Sequence, residues 1–175
     1  MSDPRIDGYA RALFEVARAE GNIDVVEDEL HRFKVAFSGS DELRVALTDS
    51  QIPAAKRQAI IEDLLGGKAN ATTVQLVSMV VGAGRGRELP QIIESLVSRA
   101  SSAKGLEVAE VRSAVELSAD QQTRLAAALT KATGKQLNLK VVVDPSVIGG
   151  VVATVGDTIF DGSVRTRIDQ LKSRL

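Results

Sequence analysis

The sequence has no cysteine and no tryptophan, one histidine, one tyrosine and four phenylalanines. Without cysteine there is no disulfide and no thiolate metal site, which suits a reducing compartment. With aromatics at 3%, the core must be built from Ala, Val, Leu and Ile, and small side chains of this kind favour close helix packing. Neither sign of charge is in excess. The net charge of -1 gives no global attraction to nucleic acid or anionic lipid. Long hydrophobic runs are missing too. The stretches Val141 to Val143 and Val147 to Val155 fall far short of the ~20 residues of a membrane helix, so no direct membrane insertion is expected. The opening Met1-Ser2-Asp3-Pro4 is polar with an early acid, unlike a secretory signal, and a cytoplasmic protein is expected.

What is present is 44% hydrophobic and 26% charged residues over 175 positions. That composition belongs to a core-forming protein, and the length suits one medium domain or two small ones. The first part reads as helix throughout. Asp3 caps a first helix with Pro4 in its first turn, where a missing N–H costs nothing. Ile6, Tyr9, Ala10, Leu13, Phe14 and Ala17 recur at steps of three and four and so share a face. Gly21 stops it. Val26, Leu30, Phe33 and Phe37 mark a second helix. Ser40 caps a third, with Leu43, Ala46 and Leu47 as its apolar face. Pro53 opens a fourth, carrying Ile60, Ile61, Leu64 and Leu65. Asn70 caps a fifth whose apolar residues (Val74, Leu76, Val77, Met79, Val80, Val81) cover most of its circumference, which predicts a central helix buried on several sides. A sixth begins near Arg87 and carries Leu89, Ile92, Ile93, Leu96, Val97 and Ala100 as far as Gly105.

The pattern then changes. Leu106 to Val115 interleaves Val and Ala with charges and reads as a strand. Ser118 and Gln121 form a capping box for a helix carrying Leu125, Ala128, Leu129 and Ala132. Leu137, Leu139, Val141 and Val143 alternate as a strand does. Val151–Val155 and Thr158–Phe160 flank Gly156-Asp157, a two-residue hairpin signal. A last helix is predicted from Ser163 to Leu175. The expectation is a mainly α protein: a six-helix bundle over residues 1–104, then a small α/β domain over 105–175.

No catalytic constellation emerges. His31 lies mid-helix with no nucleophile or metal motif and reads as a packing or surface residue. The run from Gly82 to Arg87 invites a phosphate-loop reading, but it follows a helix and lacks the Gly-Lys-Ser/Thr ending, so a connector is the better reading. Ala132 to Gln136 fails in the same way. Asp157 and Asp161 could pair as acid and base, but turn chemistry explains both. No cofactor and no metal are expected. The last helix carries Arg165, Arg167, Lys172 and Arg174 against Asp169, a basic face open to a partner.

One combination is specific. Val143-Asp144-Pro145-Ser146-Val147-Ile148-Gly149-Gly150, then Val155-Gly156-Asp157, then Asp161-Gly162-Ser163-Val164 and a short terminal helix resemble the signature region of the ATP synthase delta family, which includes the oligomycin-sensitivity-conferring protein. Tyr9-Ala10-Arg11-Ala12-Leu13-Phe14 resembles the opening pattern of that family, and six helices before a small α/β part match its layout. The resemblance implies a non-catalytic stator subunit that links the catalytic head to the peripheral stalk and couples proton transport to ATP synthesis. It implies a helical domain holding N-terminal helices of the alpha subunits through its first and fifth helices, here Tyr9, Ala10, Ala12, Leu13, Val74 and Val77. It implies a C-terminal domain engaging the b subunit, and a peripheral place on the cytoplasmic face of the plasma membrane. Gly149, Gly150, Gly156, Asp157, Asp161, Gly162 and Ser163 are then structural signature residues.

The rival class is a helical RNA-binding or antitermination-type module. It requires a basic face and stacking aromatics. Thirteen basic against fifteen acidic residues in 1–104, and nine against eight in 105–175, argue against it, and no nucleic acid is expected as a partner.

Overall fold

A computed structural model describes residues 3–163. Six helices come first: α1 (Pro4–Ala19), α2 (Ile23–Gly39), α3 (Asp41–Thr48), α4 (Ala54–Leu65), α5 (Ala71–Gly82) and α6 (Leu89–Ala103), with a one-turn 3-10 helix at Gly86–Glu88 before α6. There follow β1 (Glu107–Ser113), α7 (Ala119–Thr133), β2 (Leu137–Val143), β3 (Val151–Val155) and β4 (Thr158–Asp161). The protein is mainly helical with a small mixed sheet. The chain divides into two compact units between Ala100 and Ser101. The predicted helix from Ser163 to Leu175 lies outside the described residues.

The helix starts follow from their caps. Asp3 accepts from the Arg5 N–H, Ser40 from Leu43 and Asn70 from Thr72, each pairing a donor that would otherwise be orphaned in the first turn. The core of the first unit collects Ala10, Leu13 and Ala17 of α1, Val26, Leu30, Phe33 and Phe37 of α2, and Leu89, Ile92, Ile93 and Leu96 of α6, all buried. Phe33 and Phe37 stack, with ring centres 6.1 Å apart. Helix α5 is less enclosed than its composition predicts. Leu76, Val77, Val80 and Val81 are buried, but Met79 is exposed and Val74 half-buried. The sixth helix starts at Leu89, because the 3-10 turn occupies Gly86–Glu88.

In the second unit the sheet order is β2-β1-β3-β4. β1 and β2 run parallel, joined by α7, while β1–β3 and β3–β4 are antiparallel. The predicted capping box is present: Ser118 Oγ accepts from the Gln121 N–H, and Gln121 Oε1 accepts from the Ser118 N–H. Pairings Val111 with Val141 and Val111 with Ala153 bring these residues to one face. There Leu129 of α7 covers them, flanked by Leu125, Leu137, Leu139, Val151 and Phe160. The first strand is shorter than predicted, ending at Ser113 and leaving Val115 exposed.

Candidate partner-docking face of the helical unit

Helices α1 and α5 are tied together at both ends. Each stops in a Schellman turn on a left-handed glycine, Gly21 (φ 70°) and Gly84 (φ 77°). Asn22 N–H donates to the Ala17 carbonyl and Arg85 N–H to the Val80 carbonyl, the 6→1 bond of that motif. The residue after each glycine then reaches the other helix. Asn22 Nδ2 donates to Thr72 Oγ1 at 3.2 Å in the first turn of α5. The Arg85 guanidinium lies over the Tyr9 ring, 5.1 Å from its centre. One link joins the end of α1 to the first turn of α5 and the other joins the end of α5 to the second turn of α1, so α1 and α5 run antiparallel. Their residue numbers have the same sum, and at 1.5 Å per helical residue that register sets Val16 level with Ser78 and Met79 level with Glu15.

A carboxylate from α2 fixes the start of α5. Glu29 accepts from the Asn70 N–H at 3.1 and 3.0 Å and from Thr73 Oγ1 at 2.5 Å, where negative charge is favoured by the helix dipole. Arg85 is held by both oxygens of Glu88, at 3.0 and 2.8 Å. Its hydrogen bonds to Glu88 and then to Tyr9 push its pKa above the usual guanidinium value. The group beside the Tyr9 ring is therefore a cation.

The six candidate contact residues fall in different places. Ala10, Leu13 and Val77 are buried and form the floor beneath the surface. Tyr9 is half-buried and Ala12 exposed. Val74 lies on the other flank of α5, in a groove of about 630 Å³ against α4 lined also by Gln58, Glu62, Ser78 and Met79. Two apolar residues absent from the candidate set are open to solvent: Val16 of α1 at 38% and Met79 of α5 at 44%. Val16 was legible as the member of the α1 sequence just outside its apolar stripe. Met79 was hidden by the uniformly apolar composition of α5.

On the far flank of α1, Asp7 pairs with Arg99 of α6 and accepts from Ser95 Oγ. The hydrogen bond from Arg99 holds the Asp7 carboxyl below the usual carboxylate range, with smaller help from Ser95 and the charge of Arg11, against an opposing push from burial. A groove of about 760 Å³ lies here, with Asp3, Ile6, Gln91 and Glu94 also on its walls.

The signature residues of the second unit occupy turns. Gly149 and Gly150 have φ of 66° and 73°, and a Cβ on Gly150 would sit 2.4 Å from the Gly162 carbonyl oxygen. Gly156 at φ 56° and Asp157 close the β3–β4 hairpin. With the positive φ at the glycine alone, this is the Gly-first form of the two-residue turn. Asp161 Oδ1 accepts from the Ser163 N–H at 2.9 Å, and Ser163 is buried. Asp144 accepts from both the Oγ and the N–H of Ser146, which holds its carboxyl below the usual range. His31 is buried in α2. No group of three or more His, Cys, Asp or Glu able to hold a metal occurs among the described residues.

Comparison with known proteins agrees with the fold. The sequence profile of the family described as ATP synthase delta (OSCP) subunit matches residues 6–175. The chain is 42% identical over 159 residues to the ATP synthase subunit delta of Streptomyces avermitilis, covering 91% of this chain and 58% of that protein. It thus spans about three-fifths of the length of the Streptomyces relatives it matches. It is 36% identical to the ATP synthase subunit delta of Symbiobacterium thermophilum over 95% of this chain and 90% of that one. In three dimensions it is similar to a chain of the Toxoplasma gondii mitochondrial ATP synthase hexamer, with a TM-score of 0.61 and 25% identity, covering 98% of this chain and 97% of that one.

Proposed function

The chain belongs to the ATP synthase delta (OSCP) subunit family, and we propose that it acts as a non-catalytic stator, fastening the catalytic head of a rotary F-type ATP synthase to its peripheral stalk. In this reading the helical unit, residues 1–104, holds N-terminal helices of the alpha subunits, and residues 105–175 hold the b subunit. The work is mechanical. A linkage under torque needs slow dissociation, and two attachments on one chain combine into an avidity that neither has alone. Coupling of proton transport to ATP synthesis then depends on the chain without passing chemistry through it. Its place is peripheral, on the cytoplasmic face of the plasma membrane, and no helix among the described residues is long and apolar enough to cross a membrane.

The observation that supports this reading best is the exposed apolar pair Val16 and Met79 on helices clamped at both ends. An amphipathic partner helix seats its i, i+3, i+4 and i+7 residues on such a face. Ala12 between Tyr9 and Val16 leaves room for close approach. Ala10, Leu13 and Val77 contribute from below by holding the floor rather than by touching the partner.

The test uses an alpha-subunit N-terminal peptide and calorimetry on the folded chain. Ala12→Glu and Met79→Glu should each weaken binding at least about tenfold, roughly 1.4 kcal/mol, by placing a charge on an apolar contact. Val74→Glu should weaken binding less than Met79→Glu: both residues line the α4 groove, but Val74 is half-buried there while Met79 is open to solvent. Full affinity in both of the first two variants would place the alpha contact elsewhere. For the second attachment, a b-subunit pull-down and ATP-driven ion pumping in vesicles are the measurements. A chain truncated after residue 162 should lose both and keep head ATP hydrolysis.

A further inference from the structure

Arg57 is the anomaly of the helical unit. Its side chain is buried, with 9% of the residue exposed. Among the described residues it makes no ion pair and no side-chain hydrogen bond, and its Nε is fully enclosed without a partner. Burying a guanidinium without a counter-charge is unfavourable, and nearly all buried polar atoms are paired. A group left in this condition is poised for a ligand from outside the chain. The terminal guanidinium nitrogens, unlike Nε, are not among the enclosed unpaired atoms, so solvent reaches them.

The surroundings of Arg57 point to an anion. It is the fourth residue of α4, and helical side chains lean toward the N-terminus of their own helix. From the fourth position of a helix, that lean brings a guanidinium within reach of the first turn. That turn is uncapped: Pro53 offers no side-chain acceptor, and there is no acidic residue in the turn. Lys56 and Arg57 N–H groups both donate to the Pro53 carbonyl at 3.0 and 3.1 Å. The N–H groups of Ala54 and Ala55 have no acceptor among the described residues, and both residues are exposed. Lys56 is exposed and makes no ion pair among the described residues. The acid of the preceding loop, Asp49, is engaged with the Gln51 N–H at 2.8 Å and makes no ion pair with Arg57.

We propose that the N-terminus of α4 is an oxyanion-binding site for a phosphate dianion, held by the Ala54 and Ala55 N–H groups and the Arg57 guanidinium, with Lys56 at its rim. Free helix N–H groups, the positive helix end and a forked guanidinium are the donors that tetrahedral dianions select. Two cations at a positive helix end favour a dianion over a single carboxylate. The phosphate can be a free ion or the terminal group of a larger molecule.

The experiment is a titration of the full chain followed by amide resonances and by melting temperature, at constant ionic strength set with sodium chloride. Inorganic phosphate should shift the Ala54 and Ala55 amides saturably and raise the Tm. A parallel titration with AMP tells a free ion from a phosphate monoester, and saturable binding of either one supports the site. Arg57→Met should remove the phosphate-dependent shift while leaving the ligand-free Tm unchanged or higher, since the unpaired charge is gone. Ala54→Pro keeps the helix start, where proline is tolerated, and removes one donor. It should weaken phosphate about tenfold, the scale of one hydrogen bond to a charged group. The proposal is overturned if neither anion gives a saturable shift, if acetate binds more tightly than phosphate, or if both variants keep wild-type affinity.

Discussion

The helical unit and the sheet unit solve the same packing problem to different depths. In the first, every helix except α3 and α4 buries several large apolar residues, and Leu30, Leu76, Ile92 and Leu96 are almost wholly enclosed. In the second, only Ala109, Val111, Leu129, Ala153 and Val155 are buried among the described apolar residues, while Val115, Val143, Ile148 and Ile159 are exposed. A bundle of helices surrounds its core, whereas among the described residues of the second unit one helix, α7, covers one face of the sheet. The lesson is where each unit keeps its stability: the first in shared apolar volume, the second in turns, caps and backbone pairing.

The largest expected effect separates the two cores. Leu96→Ala should cost about 3–5 kcal/mol, since a fully enclosed site cannot collapse around the void. Leu129→Ala, ringed by half-buried neighbours that can close in, should cost about 2 kcal/mol. Denaturant melts give both values, and equal losses would erase the contrast. Next in size is Gly150→Ala. It places a Cβ 2.4 Å from the Gly162 carbonyl oxygen at a left-handed φ of 73°, and should destabilise the second unit by about 1–3 kcal/mol. Amide exchange should then rise in β3 and β4 and not in α1 to α5. Ser118→Ala breaks the capping box of α7 and should cost about 1 kcal/mol, visible as early fraying of that helix.

The smallest effect compares one acid from each unit. Asp7 and Asp144 both have folded pKa values below the ordinary 3.8, Asp7 through Arg99 and Asp144 through Ser146. A lowered carboxyl contributes stability above its unfolded value, and that contribution is lost as pH falls through the folded value. The Tm gap between wild type and Asp7→Asn should therefore be full at neutral pH and close as the solution is acidified below about 4. Asp144→Asn should show the same direction with a smaller amplitude, because its partners lie two residues away and Asp7 ties α1 to α6.

Much of the fold was legible because local chemistry announces itself. The caps at Asp3, Ser40, Asn70 and Ser118, the stop at Gly134, the alternation from Leu137 to Val141 and the Gly156-Asp157 turn all act within a few residues. The pairing of β1 with both β2 and β3 was not, since strand order depends on partners far along the chain. The candidate site was legible only in part. Periodicity located the apolar stripe of α1, but a helix spends that stripe on its own core, so Ala10 and Leu13 are inside. The exposed positions sit at the edge of the stripe, where composition has little to say. Met79 shows the limit from the other direction: a helix apolar all round gives no hint of which side its neighbours leave bare. Arg57 was invisible, because an exposed arginine and an unpaired buried one are the same letter.

The double link between α1 and α5 has a mechanical meaning. Asn22 with Thr72 and Arg85 with Tyr9 close the helix pair at opposite ends. A load drawn along the pair is then shared by both fastenings at once, as in a lap joint. A helix pair fastened this way keeps its spacing before a partner arrives. The ordering of the two helices is completed during folding, so an incoming helix need only give up its own freedom. Slackening either fastening should lower the resting affinity, because the ordering cost returns at binding, and shorten the lifetime of the complex when it is pulled.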